Sequence, residues 1–337
     1  MKDIVLLKQA LPYMREHKGC TFVIKLGGEL AARPETLASL AADLSLLVHV
    51  GIRVTLVHGG GPQATEMSRR LGLEPRLVDG RRVTDEATLD VAKMVFAGSI
   101  NVDILSALRA QGVRAVGLSG VDGDILHVRR RDPVAARDEG GQPITVDYGL
   151  VGDVEGVDAS LLSLLMGEGY VPVVSSLGGD ADGNILNVNA DTVASVLATE
   201  LGASKLLLLT GAPGLLSDPS DPASLVPALS VSEARAKLDD PSVQGGMRPK
   251  LAALVSAVEG GVERGHILSG SEPSALLLEL FTREGCGTLV RAEHADAVAR
   301  SPRARAGESA RAVLRAVESQ GVESQRVEPP HAAEGAS

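Results

Sequence analysis

The sequence has no tryptophan and only three phenylalanines and three tyrosines in 337 residues. An aromatic interior is thereby excluded, and a core must be built from leucine, valine, alanine and isoleucine. Two cysteines occur, Cys20 and Cys286, far apart and in neither a CxxC nor a zinc-ligand spacing. That excludes a disulfide framework and a thiolate metal centre, and suits a reducing, cytoplasmic compartment. Positive charge is in deficit: 33 Lys and Arg stand against 43 Asp and Glu, a formal charge of −10. A surface of that sign repels nucleic acid and anionic membrane, so neither is an expected partner. Residues 1–17 carry charges throughout and read as neither signal peptide nor membrane span. There is no GxxxxGK[ST], no HExxH and no GxSxG, and the loop from Gly59 to Ala64 lacks the third glycine of GxGxxG. Walker-type, zinc-protease, hydrolase-elbow and dinucleotide readings therefore have no support.

What is there suffices for a large core: 44% of residues are hydrophobic, and mean hydropathy is +0.13, which excludes global disorder. The 38 glycines fall in clusters without a three-residue period, as working loops do and collagen does not. The pattern predicts a helix over 3–17, with Asp3 as its cap and a kink or early end at Pro12. Short apolar strands at 21–24, 54–58, 115–118, 170–175, 184–188 and 205–209 alternate with helices at 34–50, from 62, 85–111, 158–169 and 191–201. A β-rich excursion with a turn at Gly140-Gly141 fills 124–150. Helices near 231–238 and 246–263 and strands near 265–268 and 287–290 complete the pattern. This is an α/β chain: a three-layer αβα sandwich around a mostly parallel sheet. Residues 291–337, rich in Ala, Arg, Glu and Ser, are expected to be disordered apart from a weak helix at 307–319.

Glycine clusters recur at strand ends, where open α/β sheets place their ligands. Lys25 ends a buried strand and precedes Gly27-Gly28, a turn whose N–H groups could face an anion beside the ammonium; a surface lysine beside a tight turn fits equally. Gly59-Gly60-Gly61 follows a strand, and three glycines cost backbone entropy unless a close approach or a positive φ requires them. His58 reads as a packed, hydrogen-bonded residue and not as a base. Arg81 and Arg82 could clasp a carboxylate in a bidentate fork or lie solvated. Asn187 and Asn189 could anchor polar groups, and Asp191 could orient lysines or cap the next helix. Lys250 sits on the first turn of a helix opened by Gly245-Gly246. No metal-ligand set is visible.

Together, VIKLGG (23–28), VHGGGPQ (57–63), GRRVTDEATLDVAKMVFAG (80–98), AVGLSGVDG (115–123), VGDVEGVD (151–158), GYVPVVSSLG (169–178), NVNAD (187–191), GGMRPK (245–250) and ALLLELFTREGCGTLV (275–290) resemble the amino-acid kinase family. The likeness runs in order over residues 3–290 and is strongest to the N-acetylglutamate kinase branch. It implies the amino-acid kinase fold over 19–290, with an acetylglutamate-binding N-lobe and an ATP-binding C-lobe. It also implies ATP-dependent phosphorylation of the γ-carboxylate of N-acetyl-L-glutamate, in arginine biosynthesis, with Mg²⁺ accompanying ATP. By the same resemblance Lys25 and Lys250 stabilise the transferring phosphoryl group and Asp191 organises them. Gly60 and Gly61 bind the substrate through their backbone, Arg82 holds its α-carboxylate and Asn187 its acetylamino end. Gly27 and Gly28 approach the phosphates, and Thr210, Gly211, Gly214 and Leu215 form the nucleotide loop. The family's motif has an acid after the threonine in that loop; here the residue is Gly211.

Two rival readings are an acetylaminoadipate kinase of lysine biosynthesis and a catalytically weak arginine-sensing relative. Residues 1–18 resemble the additional N-terminal helix of arginine-inhibited members, exchanged between dimers in a homohexamer, a trimer of dimers. On that likeness Tyr13, His266 and Glu279 receive L-arginine, although Ser269 stands where the family usually has Asp. The nitrogen-signalling PII protein is a further candidate partner.

Overall fold

The computed structural model describes residues 2–293 apart from 79–80, 138–142, 241–242, 244 and 283–284. The turn expected at Gly140-Gly141 and the readings of the tail from 294 onward, including the helix at 307–319, lie outside the described residues.

Wholly apolar strands bury both faces, and their side chains alternate between two cores. In β1 (Thr21–Leu26), Phe22, Ile24 and Leu26 enter one core, while Val23 enters the other. The remaining central strands are β2 (Arg53–His58), β3 (Ala115–Ser119), β4 (Val171–Ser175), β5 (Lys205–Thr210), β6 (Ala228–Ser230), β7 (Arg264–Ser269) and β8 (Thr288–Arg291). They form an eight-stranded sheet in the order β6-β8-β7-β5-β1-β2-β4-β3. All neighbours are parallel except β7 and β8. Helices Pro34–His49, Glu86–Ala110 and Ala275–Phe281 contribute to the first core. Ser160–Gly167, Ala190–Glu200 and Met247–Glu259 contribute to the second. The expected three-layer αβα arrangement is therefore the one observed.

Three local expectations need correction. The N-terminal helix runs Lys2–His17, straight through Pro12 and with Asp3 already inside it. Pro12 is exposed, and the turn beyond is anchored: Tyr13 and Met14 pack on the first core and His17 is buried. Second, the long helix is not uniformly α: Lys93–Ile100 is wound as a π-helix. By length and composition this 25-residue stretch could cross a membrane. Here it buries Val91, Val95, Phe96, Ile100, Ile104 and Leu108 in the first core. Third, the excursion is two nested hairpins that run past 150. Leu126–Arg130 pairs antiparallel with Gly152–Val157, and Val134–Arg137 pairs with Pro143–Val146. The outer hairpin joins Leu177–Gly179 and Ile185–Asn187 in a second, four-stranded sheet.

Candidate active site

The C-terminal ends of the parallel strands open into a cleft of about 740 Å³. Lys25, fifth residue of β1, projects from the sheet face that carries helices Ala190–Glu200 and Met247–Glu259. Asp191 and Lys250 come from the first turns of those helices. Lys25 Nζ lies 2.9 Å from Asp191 Oδ1, and Lys250 Nζ lies 3.7 Å from Asp191 Oδ2. Lys250 also donates to Gly246 O at 3.0 Å. Asp191 is free for this because the cap is its neighbour: Asn189 Oδ1 accepts from Asp191 N at 2.8 Å and from Thr192 N at 3.1 Å. Three residues from distant segments thus converge as an alternating cation–anion–cation row, nearly dry, with side chains 8%, 6% and 14% exposed for Lys25, Asp191 and Lys250.

The glycine loops form the floor. None of Gly59, Gly60 and Gly61 lies in the left-handed φ region; close approach explains Gly60, whereas a Cβ on Gly61 would meet nothing within 4 Å. A Cβ on Gly60 would collide with Ile100 Cδ1 and stand 2.8 Å from the Phe96 ring, both on the π-helical turn. A Cβ on Gly28 would stand 3.0 Å from both Pro62 Cδ and Gln63 Oε1, and Gln63 Nε2 donates to Gly28 O at 2.6 Å. His58 is fully buried. Burial holds its pKa down at about 4, against a smaller opposing effect of its bond to Gly59 O. As a neutral ring it donates from Nδ1 to Gly59 O (3.0 Å) and accepts at Nε2 from Asn101 Nδ2 (3.2 Å). It is packed and hydrogen-bonded, as expected.

At the other end of the cleft Arg82 donates from Nη2 to Gly61 O at 2.9 Å and to Thr65 Oγ1. Its Nη1 is buried with no partner among the described residues, and burial pulls the guanidinium below its ordinary pKa. A buried, unpaired cationic N–H is costly unless a ligand anion meets it. Asn187 Nδ2 donates to Thr84 Oγ1 at 3.3 Å, so its carbonyl oxygen needs no protein donor to stay in place. Leu77, Tyr148, Val151, Phe96 and Arg131 also line this end, and sequence reasoning missed them. Arg131, held by Asp153, stands in a run of three arginines, and Tyr148 is one of three tyrosines. Neither signal was specific enough.

Of the expected nucleotide residues, Gly28 lines the cleft and Gly27 N donates to Leu209 O at 3.0 Å. Thr210 and Gly211 lie at the end of β5, next to β1. Gly214 and Leu215 are tied to β8 instead: Leu215 N donates to Thr288 Oγ1 at 2.8 Å, and a Cβ on Gly214 would stand 2.6 Å from the same oxygen.

The residues expected to receive arginine lie on the opposite face of the sheet, because His266 pairs with Leu207 one position before the Lys25 row. His266 Nδ1 donates to Glu279 Oε1 at 2.7 Å, and Glu279 Oε2 accepts from Cys286 N (2.7 Å) and Gly287 N (3.1 Å). Burial raises the Glu279 carboxyl, but these donors outweigh it and hold the pKa at about 2. Burial lowers the His266 pKa, against the opposing effect of Glu279. Tyr13 is half-buried on the N-terminal helix, which packs on Ala275–Phe281. Missed there were His17, whose Nε2 lies 3.3 Å from Leu280 O, and the buried Lys205, whose pKa burial lowers to about 8.

Residues 21–269 match the model of the amino acid kinase family. Over 291 residues the chain is 42% identical to the acetylglutamate kinase of Methanothermobacter thermautotrophicus, covering 86% of this chain and 99% of that one. It is 45% identical to the acetylglutamate kinase of Symbiobacterium thermophilum over 284 residues, 84% of this chain and 96% of that one. Among solved structures, the N-acetylglutamate synthase of Neisseria gonorrhoeae, complexed with coenzyme A and L-arginine, superposes with a TM-score of 0.72 at 29% identity. That match covers 86% of this chain and spans 65% of the synthase. A Giardia carbamate kinase shares the fold, with a TM-score of 0.59 at 17% identity over 82% of this chain and 99% of that one. A lysine–aspartate–lysine row at the ends of parallel strands, glycine loops beneath it and a family match across 21–269 lead to one statement: the chain belongs to the amino acid kinase family.

Proposed function

We propose that the cleft transfers the γ-phosphoryl group of ATP to the γ-carboxylate of N-acetyl-L-glutamate, giving an acyl phosphate and ADP in arginine biosynthesis. The observation that carries this reading is the pair of lysines held by one buried aspartate, with a buried arginine N–H that has no partner among the described residues at the other end of the cleft. The acceptor carboxylate has an ordinary pKa of about 4 and is ionised at neutral pH, so no base is required, and His58, neutral and facing Gly59, supplies none. The difficulty is bringing an anionic nucleophile against a polyanion, which positioning and fixed positive charge resolve.

Arg82 Nη1 takes the α-carboxylate and Asn187 the acetylamino end, which points the γ-carboxylate toward the glycine floor and Lys25. A carboxylate oxygen attacks the γ-phosphorus, the bond to the β-bridging oxygen breaks, and its electron pair leaves on ADP. Lys25 and Lys250 face the charge that spreads over the phosphoryl oxygens. ATP arrives with Mg²⁺, whose charge offsets that of the phosphates. The cleft residue suited to hold that cation is Glu29, since the other acidic residue on its wall, Asp191, is engaged by the lysines.

Regulation by L-arginine and assembly as a trimer of dimers belong to the same reading. Supporting them are the Glu279 carboxylate, kept ionised beneath the N-terminal helix, and the apolar Met94 and Val102 exposed on the long helix. A hydroxamate assay offering N-acetylglutamate, acetylaminoadipate, glutamate and aspartate with ATP tests the activity. Selective trapping of the N-acetylglutamyl product supports it, and a preference for acetylaminoadipate overturns it.

A further inference from the structure

The cleft wall carries two acidic side chains, and they differ in kind. Asp191 is taken up by two lysines, whereas Glu29 makes no ion pair among the described residues. Glu29 Oε1 instead accepts from Gly211 N at 3.1 Å and from Thr210 Oγ1 at 3.4 Å. Its carboxylate lies flat on the Gly27 turn, where a Cβ would stand 2.6 Å from Oε1 and 2.7 Å from Oε2. The absence of a side chain at Gly27 is what makes room for it. The carboxylate therefore bridges the ends of β1 and β5, between the Lys25 turn and the loop expected to meet the nucleotide. The N–H it holds belongs to Gly211, the position at which this chain lacks the acid of the family motif.

A carboxylate without a counter-cation in a phosphate cradle repels a triphosphate, and a divalent cation between them turns that repulsion into attraction. We propose that Glu29 makes nucleotide binding conditional on a divalent cation: its carboxylate takes the cation carried by the triphosphate, so the site selects the metal–nucleotide complex and rejects metal-free nucleotide. This rests on the phosphoryl-transfer reading above.

The test is calorimetric binding of ATP to the full chain without acceptor, in EDTA and in excess Mg²⁺, for the unaltered protein, Glu29→Gln and Glu29→Asp. Glutamine keeps an oxygen for the Gly211 N–H, so the loop tie survives. The affinity ratio between Mg²⁺ and EDTA conditions should fall by about tenfold or more in Glu29→Gln, mainly because metal-free ATP binds better. Glu29→Asp should retain the dependence. An unchanged ratio in Glu29→Gln overturns the inference. If both affinities also stay unchanged, Glu29 is only a loop tie; if both rise together, it is only a plug. If the unaltered protein binds no ATP even with Mg²⁺, the phosphoryl-transfer reading fails and this one with it, a result distinct from an unchanged ratio.

Discussion

Replacing Asp191 with asparagine keeps its shape and removes its charge, leaving two ammonium groups facing each other in a nearly dry wall. Removing one member of a buried ion pair costs about 3–5 kcal/mol, because the remaining charge is uncompensated. The contact to Lys25 is 2.9 Å, that to Lys250 is a looser 3.7 Å, and Lys250 keeps its bond to Gly246 O. The lower end, about 3 kcal/mol, is therefore expected. For a domain of this size it lowers Tm by about 5 °C. Bound nucleotide would restore negative charge beside the lysines, so the Tm gain on adding ATP with Mg²⁺ should be larger in Asp191→Asn than in the unaltered chain. Turnover should fall by about a hundredfold, since the cations are no longer aimed. Differential scanning fluorimetry with and without nucleotide, together with steady-state kinetics, reads all three. An unshifted Tm with unchanged kcat would show that the lysines do not depend on Asp191.

Arg82→Lys should raise KM for the amino-acid substrate about tenfold or more and leave KM for ATP in place, because a point charge cannot replace a fork. A chain starting at Gly19 should lose both arginine sensitivity and assembly beyond the dimer, read by light scattering and an arginine titration; a full-length dimer indifferent to arginine would refute this. Acid should destabilise the fold. His17 and His58 have folded pKa values of about 4 against about 6.5 unfolded, so the unfolded chain binds more protons between these values. Stability is lost as pH falls through that window, by at most about 1.4 kcal/mol per unit for each group. Asp43, raised by burial to about 6, opposes this over part of the range. Tm measured from pH 7 to 4 should fall less steeply in His17→Gln.

The layers were legible because they rest on patterns that sequence carries directly, and the lysine–aspartate–lysine row could be named through the resemblance of its motifs. Four leucines in a row at 206–209, for example, read as a short strand buried on both faces. Lys25, Asp191 and Lys250 could be named from motif positions, yet their meeting depends on β1 and two helices packing on one sheet face, which no local pattern states. The π-helical turn at 93–100 was invisible because its composition is that of any buried helix. Its consequence, the pressure of Phe96 and Ile100 on Gly60, gives that glycine a reason other than backbone strain. Pro12 misled because propensity assumes an isolated helix, whereas Tyr13, Met14 and His17 anchor the turn beyond it. Glu29 passed unnoticed because its partners, Thr210 and Gly211, are 181 and 182 residues away.

The central claim is that a substrate carboxylate oxygen attacks phosphorus in a cleft that offers charge and no base. The most direct test is to incubate the full chain with ATP, Mg²⁺ and N-acetyl-L-glutamate labelled with ¹⁸O in its γ-carboxylate, and to record the ³¹P spectrum of the acyl phosphate. The account predicts a single ¹⁸O bonded to phosphorus, seen as an isotope-shifted resonance, together with stoichiometric ADP. A phosphorylated product without ¹⁸O on phosphorus, or ADP formed with inorganic phosphate alone, would contradict it.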